Sequence, residues 1–310
     1  MIAGEDVRTV GVVGAGSIGA SWTALALGRG LRVVATDPAP GAEEALRSTV
    51  AARLTEMDQA VDQSLLTFTG DLAEAAAQAD LVLEGGPERL DVKQSIFAAL
   101  DAAARPDVVL ASSSSGLLPS SFQSACARHP ERVLVAHPFN PPHLVPLVEV
   151  VGGELTSDDA VQATVTTMAH WGKRPIHLRR ELPGHVVNRL QAALWREAYY
   201  LVEQGVVSVE DIDVAISNGP GLRWALLGPF ATQHLSGGPG GMAHVLEHLG
   251  PPMVEWWRDL GSPELTPELA ETLVEGVRAE FEGRSEADVM ARRDRALREL
   301  AALKAALGLD

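Results

Sequence analysis

Two side chains near the middle of the chain could share a proton. His137 lies in Ala136-His137-Pro138-Phe139-Asn140-Pro141-Pro142, at the end of a β-branched run. Glu149 follows 12 residues later, inside the apolar stretch 144–151. A carboxylate in such a stretch needs a partner if buried, and an imidazole held by a carboxylate is a general acid–base near neutral pH. The same pair also reads as a structural histidine capped by an acid. Four hydroxyls, Ser112-Ser113-Ser114-Ser115, precede Gly116-Leu117 directly after another strand-like run. Open α/β sheets bind ligands at such strand ends, although a serine run is equally a polar turn. Asn188, in Pro183-Gly184-His185-Val186-Val187-Asn188-Arg189-Leu190, places an amide just inside a helical segment, facing either a cleft or solvent.

A second constellation sits near the N-terminus. A strand-like run leads into Gly14-Ala15-Gly16-Ser17-Ile18-Gly19, a Gly-x-Gly-x-x-Gly followed at once by a helical segment. The first glycine permits a tight turn, the second lets the backbone approach a pyrophosphate, and the third lets helix and strand pack closely. The helix N-terminus, including the amides of Ser17 and Ile18, then offers unpaired N–H groups to phosphate. Asp37 ends the next strand, 18 residues after Gly19. An acid there accepts from ribose hydroxyls and repels a 2′-phosphate, which favours NAD over NADP. Arg32 is placed at the start of that strand, away from the ribose. The plainer alternative is a tight turn with a surface acid.

These residues need a frame. The first half alternates short apolar runs (9–14, 32–37, 81–84, 108–111, 132–136) with alanine- and leucine-rich segments such as 17–30 and 90–103. That alternation predicts βαβ units and a mostly parallel, Rossmann-type doubly wound sheet. Runs 144–151 and 175–178 flank a helical pattern over 157–171 and are expected to extend the sheet; Ser157 is its predicted N-cap. After Pro183-Gly184, helical patterns dominate: 185–203, 208–217, 241–248, 266–282 and 285–307, joined by loops at 218–222, 237–241 and 249–252. The expected domains are therefore 1–184, binding the nucleotide, and an all-helical 185–310.

Composition narrows the function classes. With 310 residues, 46% of them hydrophobic, the chain can bury a large core without disulfides or metals. One cysteine, Cys126, excludes an intrachain disulfide, and a reducing, cytoplasmic compartment is expected. A net charge of −16 argues against nucleic acid and anionic membranes as partners. The acidic N-terminus does not read as a signal peptide, and no stretch approaches the ~20 apolar residues of a membrane span.

Taken together, the glycine loop, Asp37, the Glu84…Glu88…Lys93 stretch, the serine loop, the His-Pro-Phe-Asn-Pro-Pro segment with its later acid, and the 183–190 segment resemble the 3-hydroxyacyl-CoA dehydrogenase family. The resemblance runs from about Thr9 to the C-terminal helices. It implies NAD as cofactor, no catalytic metal, and a homodimer through the helical domain. It implies that His137 is the acid–base and Glu149 its orienting carboxylate. Ser115 would bond the substrate oxygen, Asn188 would hold the same region, and Glu84, Glu88 and Lys93 would line the nicotinamide side. Where the family reads Asn-Thr-Ser-Ser, this chain has Ser113-Ser114-Ser115-Gly116, so which serine acts is open. The stretch Gly221-Leu222-Arg223-Trp224 with Gly237-Gly238-Pro239-Gly240-Gly241-Met242 is similar to the lambda-crystallin/L-gulonate 3-dehydrogenase branch and equally to carnitine 3-dehydrogenases, which act on free acids. Arg223 suits that reading, because a guanidinium grips a carboxylate through two hydrogen bonds. Trp171, Trp195, Trp224 and Tyr199 are the aromatics available for a quaternary ammonium, although periodicity does not place them together. The implied reaction is hydride transfer between NAD and a small free 3-hydroxy acid. The competing expectations are a thioester-using enzyme and a catalytically silent, crystallin-like NAD binder.

Overall fold

Apolar runs with no polar face need cover on both sides. The computed structural model describes residues 1–309 and gives such cover. Among the described residues eight strands form one sheet: β1 (Thr9–Val13), β2 (Arg32–Thr36), β3 (Leu66–Thr69), β4 (Leu81–Glu84), β5 (Val109–Ser112), β6 (Val133–Pro138), β7 (Leu147–Gly152) and β8 (Arg174–Leu178). Their spatial order is β3-β2-β1-β4-β5-β6-β7-β8. Every neighbouring pair is parallel except β6–β7. The winding direction reverses between β1 and β4, the crevice where such sheets take ligands. There the loops after β1 and β4 touch: a Cβ on Gly14 would lie 2.8 Å from the Gly85 carbonyl oxygen.

The strands alternate with α1 (Ser17–Leu27), α2 (Ala42–Glu56), α3 (Leu72–Gln78), α4 (Leu90–Ala103), α5 (Pro119–Gln123) and α6 (Asp158–His170). Helices α1, α2 and α6 pack one face of the sheet through residues such as Trp22, Leu46 and Met168. Helices α3, α4 and α5 pack the other through Ala76, Phe97 and Phe122. The Phe97 and Phe122 rings lie 4.6 Å apart, and burying each contributes about 2–3 kcal/mol. Ser157 caps α6 as expected, accepting from the Ala160 amide.

The pleat sorts the polar residues. Leu83, Ala111 and Ala136 belong to the first core; Val82, Leu110 and Val135 belong to the second. Since alternate residues share a face, Glu84, Ser112 and His137 extend the second series.

The second compact unit runs from Leu190 to Asp310, and the first from Met1 to Arg189. Helix α7 (Val187–Glu203) is followed by α8 (Val209–Asn218), α9 (Pro220–Leu226), α10 (Pro229–Ser236), α11 (Gly241–Asp259), α12 (Pro267–Glu280) and α13 (Glu286–Ala306). Ser208 and Asp211 close a capping box on α8, and Thr266 and Ser285 cap α12 and α13. Helices α7 to α10 contain no fully buried residue, although α7 is strongly amphipathic.

Several elements differ from the sequence reading. Strand β3 and helix α2 fall in a stretch where the pattern predicts no element; β3 is a four-residue edge strand, too short to show a period. Strand β5 ends at Ser112 rather than 111, which draws the first serine into the sheet. Strand β7 starts at Leu147, because the amides of Leu144 and Val145 turn back onto the Pro141 carbonyl. The loops expected at 218–222 and 249–252 are largely helical, and α10 was unforeseen. Helix α11 runs through Pro251 and Pro252. Proline's fixed φ is itself helical; what it removes is an N–H donor to the carbonyl four residues earlier. Those carbonyls belong to Glu247 and His248, both exposed and open to water.

Candidate active site

The β6–β7 register sets His137 directly opposite Glu149. His137 Nδ1 lies 2.9 Å from Glu149 Oε2, with the glutamate fully buried. The other oxygen, Oε1, accepts from the amides of Val186 (2.9 Å) and Val187 (3.0 Å). Burial would raise this carboxyl, but the bonds from His137, Val187 and Val186 outweigh it and hold it below the ordinary carboxylate range. An ionised carboxylate only accepts, so Nδ1 of His137 must carry the proton. Nε2 is then left with its lone pair, which is the form a general base needs.

The serine run divides by partner. Ser112 donates to Glu84 Oε2 (2.6 Å), and Ser113 accepts from the Trp22 indole (3.0 Å). Ser114 donates to Glu88 Oε1 (2.5 Å). Ser115 is exposed, and among the described residues no hydrogen bond holds its hydroxyl. Its carbonyl accepts from Asn188 Nδ2 (3.0 Å), which ties the loop to the start of α7.

His185, directly after Gly184, is wholly buried between these parts. Its Nε2 lies 3.3 Å from the Ser114 carbonyl oxygen, and its ring centroid is 5.4 Å from that of His137. Burial lowers its pKa, so it is neutral near pH 7 and donates through Nε2. Its φ of 51° is left-handed and uncommon outside glycine. That turn aims the next two amides at Glu149. No local pattern signals it, since a histidine after glycine carries no mark of positive φ.

At the nucleotide end, Gly14 has φ 97°, and a Cβ on Gly19 would stand 1.9 Å from the Gly14 carbonyl oxygen. Nothing lies within 4 Å of where a Gly16 Cβ would be, so the turn leaves open space at the start of α1. Gly16 caps α1 without a side chain, which leaves the amides around Ser17, Ile18 and Gly19 for a ligand. Asp37 Oδ2 accepts from the Ala15 amide (2.7 Å) and Oδ1 from Ala39 (2.8 Å), fixing the acid beside the glycine turn. Open space, free amides and an adjacent acid fit a dinucleotide. Arg32 starts β2, at the opposite end of that strand.

Glu84 and Lys93 form a fully buried ion pair at 2.9 Å. Glu84 also accepts from the Gly86 amide (2.6 Å). Glu88 is half-exposed and accepts from Ser114, Gly116 and Leu117. Burial would raise its carboxyl, but these bonds and nearby Lys93 lower it. Cys126 is buried, its thiol pushed up to about 12 by burial, and inert at neutral pH. Trp171 is buried in the first unit's core and offers no open ring face. Arg223, Trp195 and Trp224 lie exposed in the second unit, and Arg223 has no ion pair among the described residues.

Comparison with known proteins places the chain. Residues 9–182 match the 3-hydroxyacyl-CoA dehydrogenase NAD binding domain, and 184–277 match that family's C-terminal domain. The chain belongs to the 3-hydroxyacyl-CoA dehydrogenase family. It is an NAD-dependent oxidoreductase. An L-carnitine dehydrogenase of Nocardiopsis dassonvillei is 51% identical over 94% of this chain and 90% of its own. A 3-hydroxyacyl-CoA dehydrogenase of Gibberella moniliformis is 48% identical over 83% of this chain and 81% of its own. The solved structure of 5-formyl-3-hydroxy-2-methylpyridine 4-carboxylic acid 5-dehydrogenase, an NAD+-dependent dismutase, is similar with TM-score 0.82 and 29% identity, covering 98% of this chain and 99% of that one.

Proposed function

We propose that this member of the family is an L-carnitine 3-dehydrogenase, interconverting the free 3-hydroxy acid and its 3-oxo form. The observation that carries the chemistry is the 2.9 Å His137–Glu149 contact; Ser115 is the serine of the run whose hydroxyl no hydrogen bond holds among the described residues. The names of relatives such as the Nocardiopsis protein support the choice of carnitine.

The residues divide the work as follows. The Gly14–Gly19 turn, the start of α1 and Asp37 hold the dinucleotide; Asp37 selects NAD over NADP. Bound there, NAD would supply the acceptor for the carbinol hydrogen. His137 accepts the hydroxyl proton on Nε2, and Glu149 stabilises the imidazolium that forms. Positioned proton transfer of this kind contributes ~10²–10⁴-fold in rate. Ser115 orients the substrate oxygen, and Asn188 fixes the loop that carries it. Glu84 and Lys93 serve the cofactor cleft through the Gly85-Gly86 turn they hold, and Glu88 serves it through the serine loop.

Homodimerisation through the helical unit completes the reading. Large apolar side chains there stand open, among them Phe230 at 75%, Leu265 at 70% and Trp257 at 64% exposure. Open apolar surface of this kind marks an interaction face. No described helix is long and apolar enough to cross a membrane, and a cytoplasmic setting suits the single buried thiol.

The deciding experiment measures NADH formation with L-carnitine, and NADH oxidation with 3-dehydrocarnitine and with acetoacetyl-CoA. His137→Gln serves as control. Turnover of carnitine that vanishes in His137→Gln supports the proposal. Preference for the thioester, which the Gibberella relative's name favours, would replace carnitine as substrate. NADH binding without turnover on any of them would leave a silent binder.

A further inference from the structure

The second unit carries a group of side chains that the dehydrogenase chemistry does not use. We propose that His244, Glu247 and His248 on α11 form a binding site for a divalent first-row transition metal such as Zn2+. Residues three and four apart share one helix face. One ligand atom from each of the three lies within 4.8 Å of the others, and all three side chains are exposed to incoming ions.

The hydrogen bonding prepares the site. His248 Nδ1 lies 3.0 Å from the His244 carbonyl oxygen, so Nδ1 carries the proton and Nε2 keeps its lone pair. Ligating histidines ordinarily donate their second ring N–H to such a carbonyl, which fixes the tautomer. The two imidazoles stand with centroids 4.0 Å apart. A Cβ on Gly240 would press to 2.6 Å from that of His244, so the glycine leaves the first ligand room. Neighbouring His234 stands outside the set. Its Nδ1 accepts from the Met242 amide (3.2 Å), which places its proton on Nε2 and leaves neither nitrogen free.

The donors narrow the class of ion. Two imidazoles and one carboxylate suit Zn2+, Ni2+, Co2+ or Cu2+, whereas Mg2+ and Ca2+ require oxygen ligands. Three protein ligands leave the remaining positions to water. A chain of net charge −16 draws cations generally, and this face would hold one. The bound ion would staple one turn of α11 just before Pro251 and Pro252, where two helical N–H donors are missing. Its role is structural, separate from hydride transfer.

The test uses the full chain without a polyhistidine tag, stripped with EDTA, and titrated with Zn2+ by calorimetry near pH 7.5. One equivalent should bind and raise the melting temperature. His244→Ala and His248→Ala should each weaken binding about tenfold or more, and Glu247→Gln less. Mg2+ should not compete. Circular dichroism checks that the variants fold. Undiminished one-to-one Zn2+ binding by the His244→Ala/His248→Ala double variant overturns the proposal, as does wild-type protein with no saturable binding.

Discussion

His137 and Glu149 are cross-strand partners, 2.9 Å apart, because β6 and β7 run antiparallel in an otherwise parallel sheet. A parallel pairing would have needed a long crossover between them. The eight residues joining the strands suffice here, and they place an acid behind the imidazole at the sheet's C-terminal edge.

Glu149→Gln removes that acid without changing its size. The new amide must set an NH2 against either His137 Nδ1–H or the Val186 and Val187 amides, so a donor faces a donor. Turnover should fall about 10²-fold or more while NADH affinity stays close to wild type. Unaltered turnover would remove Glu149 from the acid–base pair. The stability effect has a definite sign. The folded carboxyl lies below its unfolded value, so its contribution is present above the ordinary carboxylate pKa of about 4.3 and is lost as pH falls through the folded one. The urea midpoints of wild type and variant should therefore converge as pH drops below about 5.

His185→Phe keeps an aromatic ring against His137 but deletes the bond to the Ser114 carbonyl. Stopped-flow or steady-state assays should show kcat reduced by about tenfold, with the NAD Michaelis constant little changed. Burial lowers the His185 pKa, so protonating it opposes folding. Its neutral form supports the fold fully above about pH 6.5, and that support is lost as pH falls through the folded value. The melting temperature of His185→Phe should thus decline less than wild type between pH 7 and 5. A parallel decline in the two proteins would contradict a buried, neutral imidazole.

Asp37→Ala takes the acid from beside the glycine turn, where it holds the Ala15 amide at 2.7 Å. NAD should bind more weakly, and the ratio of kcat/KM for NAD over NADP should drop by about tenfold or more. Selectivity that does not move would place the ribose elsewhere.

Lys173 is buried beneath the loop that follows His137. It donates to the carbonyls of Pro142 and Val145, the latter at 2.8 Å, and lies 5.6 Å from the centre of the Trp22 ring. Burial, with Arg29 nearby, pushes its pKa down to about 7. Between there and the unfolded value of about 10.4 the unfolded chain binds the extra proton, so stability rises with pH across that window, by at most about 1.4 kcal/mol per unit. Lys173→Met should lose that slope. Chemical unfolding of both proteins at pH 7.5, 8.5 and 9.5 reads the difference, and equal slopes would show an amine that titrates normally.

Sequence alone determined what local pattern can encode. The Gly14–Gly19 turn, Asp37 at a strand end, the alternation of strand and helix, and the change to helices near residue 184 all depend on neighbours in the chain. Most candidate residues were legible for the same reason, sitting where a strand gives way to a loop or a helix begins, whereas Glu149 lies inside β7. Tertiary structure decided which of them meet. Register, which no one-strand pattern contains, put Glu149 rather than another acid against His137. Three-dimensional partners claimed Ser112, Ser113 and Ser114 and left Ser115 unbonded, a distinction invisible in four identical letters. Burial turned Glu84 and Lys93 from cleft residues into a closed pair, and a left-handed turn at His185 aimed two amides at one carboxylate. Such contacts join residues 9 to 91 positions apart, and only the order of strands in the sheet brings them within reach.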